Sequence, residues 1–178
     1  RTAKSGRWAA VESIEVLGGN GAIETFSVLP RLLRDSIVTE NWEGTHNTLQ
    51  MQIMRDMKKY SLHEGFFSYV QRCLEDARGD DADHVEEIRR HMGSAMEDLA
   101  SLPSMDPGAS TLVMRPLMER LSSLMYAAIR IWERARNDTR DAVDDASIAH
   151  FVDWKLEGDP DRSSSEFLER IDTLSSSL

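Results

Sequence analysis

The sequence predicts an all-α protein, and three observations carry that prediction. Apolar residues recur at helical spacing along nearly the whole chain, and no segment shows the strict alternation of a half-buried strand. Clusters of glycine, proline and asparagine divide those stripes, as turns between helices do. The 178 residues are 40% hydrophobic and 29% charged, enough apolar material for a core. No run approaches the roughly 18–20 apolar residues of a membrane-spanning helix.

The elements follow in order. Trp8, Val11, Ile14 and Val16 with Leu17 mark an apolar stripe over residues 2–17. Gly18-Gly19-Asn20-Gly21 stops it, because glycine and asparagine tolerate the left-handed conformation of helix ends. Pro30 suits a helix start ahead of Leu32 and Leu33. Residues 36–44 read as an irregular connection. Thr45 can then cap a helix carrying Leu49, Ile53, Met54 and Met57.

Beyond Tyr60 four stripes succeed one another. Phe66, Phe67, Val70, Cys73, Leu74 and Ala77 give the first, broken by Gly79-Asp80-Asp81. Val85, Ile88, Met92, Ala95, Met96 and Leu99 give the second, which residues 103–108 end. The third runs Val113, Leu117, Leu121, Leu124, Ala128, Ile131, Trp132 and Ala135, with Pro116 near its start. The fourth comprises Val143, Ala146, Ile148, Phe151 and Trp154, and Gly158-Asp159-Pro160 closes it. Four stripes joined by short turns describe an up-and-down helical bundle. Ser163-Ser164-Ser165 and Ser175-Ser176-Ser177 bracket one weak helix around Phe167, Leu168 and Ile171, where fraying is expected.

The net charge of −10 is unevenly spread. Residues 1–60 hold 8 Lys+Arg and 7 Asp+Glu, whereas residues 61–178 hold 13 and 24. The second part repels phosphate backbones unless a basic face is segregated on it, so no nucleic-acid partner is expected. Arg130, Arg134, Arg136 and Arg140 are the one candidate for such a face. Glu133, Asp138 and Asp141 interrupt them, and they read as a solvated helix face. The single cysteine, Cys73, excludes an intramolecular disulfide framework and reads as a small core residue. It fits a reducing compartment, the cytoplasm or a mitochondrial matrix. The first residues lack the apolar core of a secretory signal. The start at Arg1 suggests a piece of a longer polypeptide.

Few residues combine into chemistry. Gly18-Gly19-Asn20-Gly21 lacks the Lys-Ser/Thr of a phosphate loop, and no strand precedes it. His84 and His91 are seven apart and can share a helix face, but two ligands are too few for a closed zinc site, and no metal is expected. No serine sits on a nucleophile elbow. Trp42-Glu43-Gly44-Thr45 has two readings. Glu43 is either a helix-entry acid favoured by the helix dipole or a general base. In the second case burial against Trp42 raises its pKa and Gly44 lets a substrate come close.

The order of these pieces carries a resemblance. Glu15-Val16-Leu17-Gly18-Gly19-Asn20-Gly21, then Leu32-Leu33-Arg34-Asp35, then Trp42-Glu43-Gly44-Thr45-His46-Asn47 resembles the C-terminal end of an acyl-CoA dehydrogenase over residues 1–58. The resemblance implies residues 1–58 as the C-terminal part of that family's helical domain, 59–158 as an additional helical domain and 159–178 as a Ser-rich tail. It implies oxidation of an acyl-CoA thioester to the 2,3-enoyl-CoA, with Glu43 removing the α-proton and FAD taking the β-hydride. Trp42 and Gly44 match substrate-contacting positions. Thr45 and Asn47 match positions that touch FAD, and Glu15, Gly18 and Gly19 match a stretch that meets the FAD of a neighbouring subunit. Partners implied are the N-terminal and β domains of the same enzyme, further copies in a tetramer or dimer, and an electron-accepting flavoprotein. Glu15 stands where well-studied members have glutamine, and a carboxylate cannot donate as an amide can. Trp42 replaces a common tyrosine, and Asn47 a frequent glutamine. With the long helical extension these features are similar to the branch that includes an alkylation-response flavoprotein. Two other expectations compete: a helical assembly module with an incomplete flavin site, and a DNA-associated protective flavoprotein.

Overall fold

The computed structural model describes residues 1–42, 44–137 and 141–176, and these contain helices and turns but no strand. They divide into two compact units, Arg1–Arg55 and Asp56–Leu178, with the boundary inside a helix. No helix among the described residues is long and apolar enough to cross a membrane.

In the first unit, α1 (Thr2–Val16) packs along α2 (Leu29–Asn41) through a short 3-10 turn, Gly18–Ala22. Gly18 takes φ +60°, which glycine adopts without steric cost. Gly21 is buried because the turn folds back on α1: a Cβ there would lie 2.4 Å from the Ile14 carbonyl oxygen. The Cβ position is set by the main chain at residue 21 and the oxygen it meets is itself backbone, so relief requires a main-chain shift. Gly21→Ala is therefore expected to destabilise this unit by about 1–3 kcal/mol, as overpacking does. Urea unfolding followed by tryptophan fluorescence checks this, and an unchanged midpoint contradicts it. Ser27 ties the turn to α2, donating to the Gly21 carbonyl (3.2 Å) and accepting from the Leu29 N–H (3.3 Å).

One apolar stripe of this unit stays open, and one sequence expectation fails. The first stripe is not a core: Ala10 is the one buried residue of α1, while Val16 is 84% and Trp8 51% exposed. Two helices packed on each other cover only one face each, and the rest of this apolar surface stays open. Residues 36–41 also prove helical rather than irregular. Their β-branched and polar side chains favour other conformations, but they satisfy themselves on the helix. Ser36 donates to the Leu33 carbonyl (2.7 Å), Thr39 to Asp35 (2.9 Å) and Asn41 to Ile37 (2.8 Å). The last helix to begin in this unit is α3 (His46–Tyr60).

The second unit is built around α6 (Pro107–Arg136), 30 residues and about 45 Å long at 1.5 Å per residue. It packs against α4 (Leu62–Glu75), α5 (Ala82–Ser101) and α7 (Ala142–Val152). Met114, Leu117, Leu121, Leu124, Ala128 and Ile131 of α6 form its spine, facing Phe67, Val70 and Leu74 of α4 and Val85, Ile88 and Ala95 of α5. Burying each large side chain contributes roughly 1.5–3 kcal/mol. Cys73 lies in the same core, and burial pushes its thiol pKa up. After α7 come a π-helical turn, Asp153–Glu157, and α8 (Ser165–Ser175), which packs on α7.

Capping sets where these helices begin. Asp106 accepts from the N–H groups of Gly108 (2.8 Å) and Ala109 (3.3 Å), starting α6 at Pro107. The helix thus begins earlier than its apolar stripe, and Pro116 lies inside it on an exposed face. Asp141 caps α7 through the Asp144 N–H (2.8 Å), and Ser164 caps α8 through the Phe167 N–H (3.1 Å).

Candidate functional site

The turn between α2 and α3 carries the Trp-Glu-Gly-Thr motif. Trp42 closes α2 in a helical conformation, and the Gly44 N–H returns to the Asn41 carbonyl (3.3 Å). Gly44 has φ +120°, a conformation that disfavours any side chain. Thr45 does cap α3: its hydroxyl accepts from the Thr48 N–H (3.4 Å) and also meets the Thr48 hydroxyl (3.1 Å). Glu43 itself lies outside the described residues.

The base of this turn is tied by a network that sequence reasoning missed. Glu40, in the last turn of α2, meets His46 Nε2 at 2.7 Å across the connection. Its other carboxylate oxygen accepts from Arg7 Nε of α1 at 2.5 Å. The Glu40 side chain is 12% exposed, and Arg7 and His46 are more open. The hydrogen bond from His46, with Arg7 adding to it, holds the Glu40 carboxyl below the ordinary glutamate pKa. A depressed acid contributes stability that is present above its unfolded pKa, near 4.5, and lost as pH falls through the lower native value. The stability gap between wild type and Glu40→Gln is therefore expected to narrow as pH falls from about 7 to about 3. Urea midpoints across that range check this; a constant gap contradicts it.

The sequence-predicted residues fall into two groups. Trp42, Gly44 and Thr45 lie in the α2–α3 connection, and Asn47 follows in the first turn of α3. Glu15, Gly18 and Gly19 lie at the α1–α2 connection, and the 13 residues of α2 separate the two by about 20 Å along the helix. Gly18 and Gly19 present open backbone, with nothing within 4 Å of a side chain built at either. Trp42 is 77% exposed, and the expected burial of Glu43 against it lies outside the described residues. The exposure of Trp42 has a local cause: α1 packs along α2 and leaves the end of α2 uncovered.

Elsewhere, the expected solvated arginine face is corrected. Arg134 is buried, pairing with Asp81 (3.2 Å) and Asp145 (2.5 Å). Arg130 meets Asp144 and Glu133, and Arg136 meets Asp76 while stacking 4.0 Å from the Trp132 ring centroid. Arg140 and Asp138 lie outside the described residues. His91 meets Glu87 and Glu157, three ligand-type atoms within 4.8 Å of one another, rather than joining His84. The Arg90 guanidinium already bonds to both of those carboxylates, so this cluster is an ion-pair network. A cleft of about 240 Å³ between the π-helical turn and α8, and another of about 340 Å³ at the end of α6, are lined by residues of the second unit.

Residues 1–58 match the family described as "Acyl-CoA dehydrogenase, C-terminal domain". Over that segment the chain is similar to the C-terminal domain of acyl-CoA dehydrogenases. It is 34% identical over 92 residues to acyl-CoA dehydrogenase family member 11 of Caenorhabditis elegans, a match covering 51% of this chain and 15% of that one. It is 32% identical over 87 residues to AidB of Escherichia coli (strain K12), provisionally named an acyl-CoA dehydrogenase, covering 49% of this chain and 15% of AidB. The chain thus spans only a small part of the length of the relatives it matches. No solved structure matches it.

Proposed function

We propose that this chain is the C-terminal portion of an FAD-dependent acyl-CoA dehydrogenase, with Glu43 as the general base. The observation that supports it best is the family match over the segment holding the Glu-Gly-Thr motif, placed on a turn between two helices. Residues 59–158 are then an additional helical domain and 159–178 a tail. The remaining domains of the same polypeptide would cover Trp42 and dry the Glu43 carboxylate, raising its pKa toward working pH.

In this reading Glu43 takes the α-proton of an acyl-CoA thioester, and its backbone N–H helps polarise the thioester carbonyl. Gly44, lacking a Cβ, leaves room for the acyl group. The departing β-hydride requires an acceptor, which FAD supplies when bound. The residues present fit such a group: Thr45 offers a hydroxyl, Asn47 an amide, and Gly18 and Gly19 open backbone for close approach. Glu15 can only accept from it. Because the two clusters stand at opposite ends of α2, they suit contacts with different FAD molecules in an oligomer.

The test uses the complete polypeptide. It is expected to purify with FAD, and anaerobic addition of acyl-CoA thioesters of graded chain length should bleach the flavin absorbance. Absence of FAD, or no bleaching by any of them, overturns the proposal. The acidic balance of residues 61–178 disfavours the DNA-associated alternative.

A further inference from the structure

We propose that Arg7, Glu40 and His46 form a clasp that positions the turn carrying Glu43, so that reaction rate depends on residues that touch no substrate. The inference rests on the reading of Glu43 as the base. The geometry points to it in three ways.

The Glu40–His46 pair spans the connection itself, joining the last turn of α2 to the first residue of α3 and leaving only residues 41–45 between them. Their 2.7 Å contact fixes the separation of the two chain ends from which the turn is hung. Arg7 then anchors that pair to α1, at 2.5 Å from the second Glu40 oxygen. All three helices of the first unit therefore converge on one carboxylate.

The placement also runs against helix electrostatics. An acid at a helix C-terminus and a cationic-capable histidine at a helix N-terminus each oppose the local dipole. Neither position helps its own helix. Each becomes favourable only through the other, so the arrangement serves the connection between the helices rather than either helix alone.

Finally, Glu40 is the least exposed member of the set, and Gly44 within the turn holds φ +120°. Glycine is the most conformationally free residue, so a connection that contains one gains most in order from having its two ends held. A shift of about 1 Å in a reacting group can reduce a rate about a hundredfold, and this is the displacement the clasp restrains. Arg7, Glu40 and His46 are positioning residues on this account.

The experiment compares Glu40→Ala, Glu40→Gln and Glu43→Gln in the complete FAD-loaded protein. It reads the anaerobic flavin-bleaching rate against acyl-CoA concentration. In Glu40→Ala the limiting rate per bound FAD should fall about tenfold or more, whatever FAD or acyl-CoA affinity is lost through Trp42, Gly44, Thr45 and Asn47 on the same turn. Glu40→Gln keeps the shape but offers an N–H₂ to one of two donors, so its rate should be intermediate. A merely structural role would lower FAD content in step with rate and leave the rate per bound FAD unchanged. If Glu43→Gln abolishes bleaching while Glu40→Ala bleaches at the wild-type limiting rate, the clasp is wrong and the base assignment stands. If Glu43→Gln bleaches normally, both fall. Should Glu40→Ala fail to fold, a wild-type rate in Glu40→Gln overturns the clasp.

Discussion

Replacing Arg134 with methionine will destabilise the second unit by about 3–5 kcal/mol, the cost of removing one partner from a buried ion pair. Asp81 is fully buried at the N-terminus of α5, and the Arg134 side chain is 5% exposed in the last turn of α6. Arg134 also reaches Asp145 in the first turn of α7, so one guanidinium joins three helix ends. Its position at the C-terminus of α6 is favoured by the helix dipole as well. Methionine preserves much of the volume but removes the cation that offsets the burial of Asp81. The loss should appear as a lower urea midpoint with an unchanged slope in the transition of the second unit. Adding Asp81→Leu to that variant should recover much of the stability, because the charge left behind is then gone. A change below about 1 kcal/mol in Arg134→Met contradicts a structural role for the pair.

The second large effect concerns chemistry. On the proposed reading, Glu43→Gln in the complete polypeptide slows substrate-driven flavin bleaching by about 10²–10⁴-fold, the contribution of a positioned general base. An amide has nearly the same shape as a carboxylate but cannot take the α-proton. FAD content should be unchanged, because the proposed FAD contacts come from Glu15, Gly18, Gly19, Thr45 and Asn47. Glu43→Asp should retain more activity than Glu43→Gln, since it keeps the base at a shorter reach. Rapid-mixing absorbance measurements under anaerobic conditions check both variants. Bleaching of Glu43→Gln at the wild-type rate removes the assignment.

The second unit was the more legible part of the fold. Its stripes at Phe67, Val70 and Leu74, at Val85 and Ile88, and at Leu117 through Ile131 became its core, because several helices surround α6 and each apolar face finds a partner. Trp8, Val11 and Val16 are spaced just as helically but stay exposed, because α1 packs mainly on α2 and the adjoining turn. Periodicity shows which residues seek burial and not whether a partner is present. Trp132 and Trp154 show a second limit: both are apolar-stripe members that stay partly exposed, stacked under Arg136 and Lys155. Side-chain charge patterns were read least well. Arg134 looks like any surface arginine, and nothing near it in sequence reveals Asp81, 53 positions earlier.

At the candidate site, local signals were visible and long-range ones were not. The Thr45 cap and the glycine at position 44 follow from residue chemistry within a few positions. The Glu40–His46 contact crosses six residues and had a faint signal in an acid and a histidine flanking a turn. Arg7 lies 33 residues from Glu40, and only the packing of α1 on α2 brings them together.

The central claim is that the carboxylate at position 43 removes a proton from the carbon next to a thioester. The most direct measurement uses a 3-thia-acyl-CoA, whose sulfur at the third position leaves no β-hydride to transfer, incubated in D₂O with the complete protein and followed by mass spectrometry. Deuterium should enter the α-carbon with the wild type and not with Glu43→Gln. Equal exchange in both proteins, or none in either, would contradict the account.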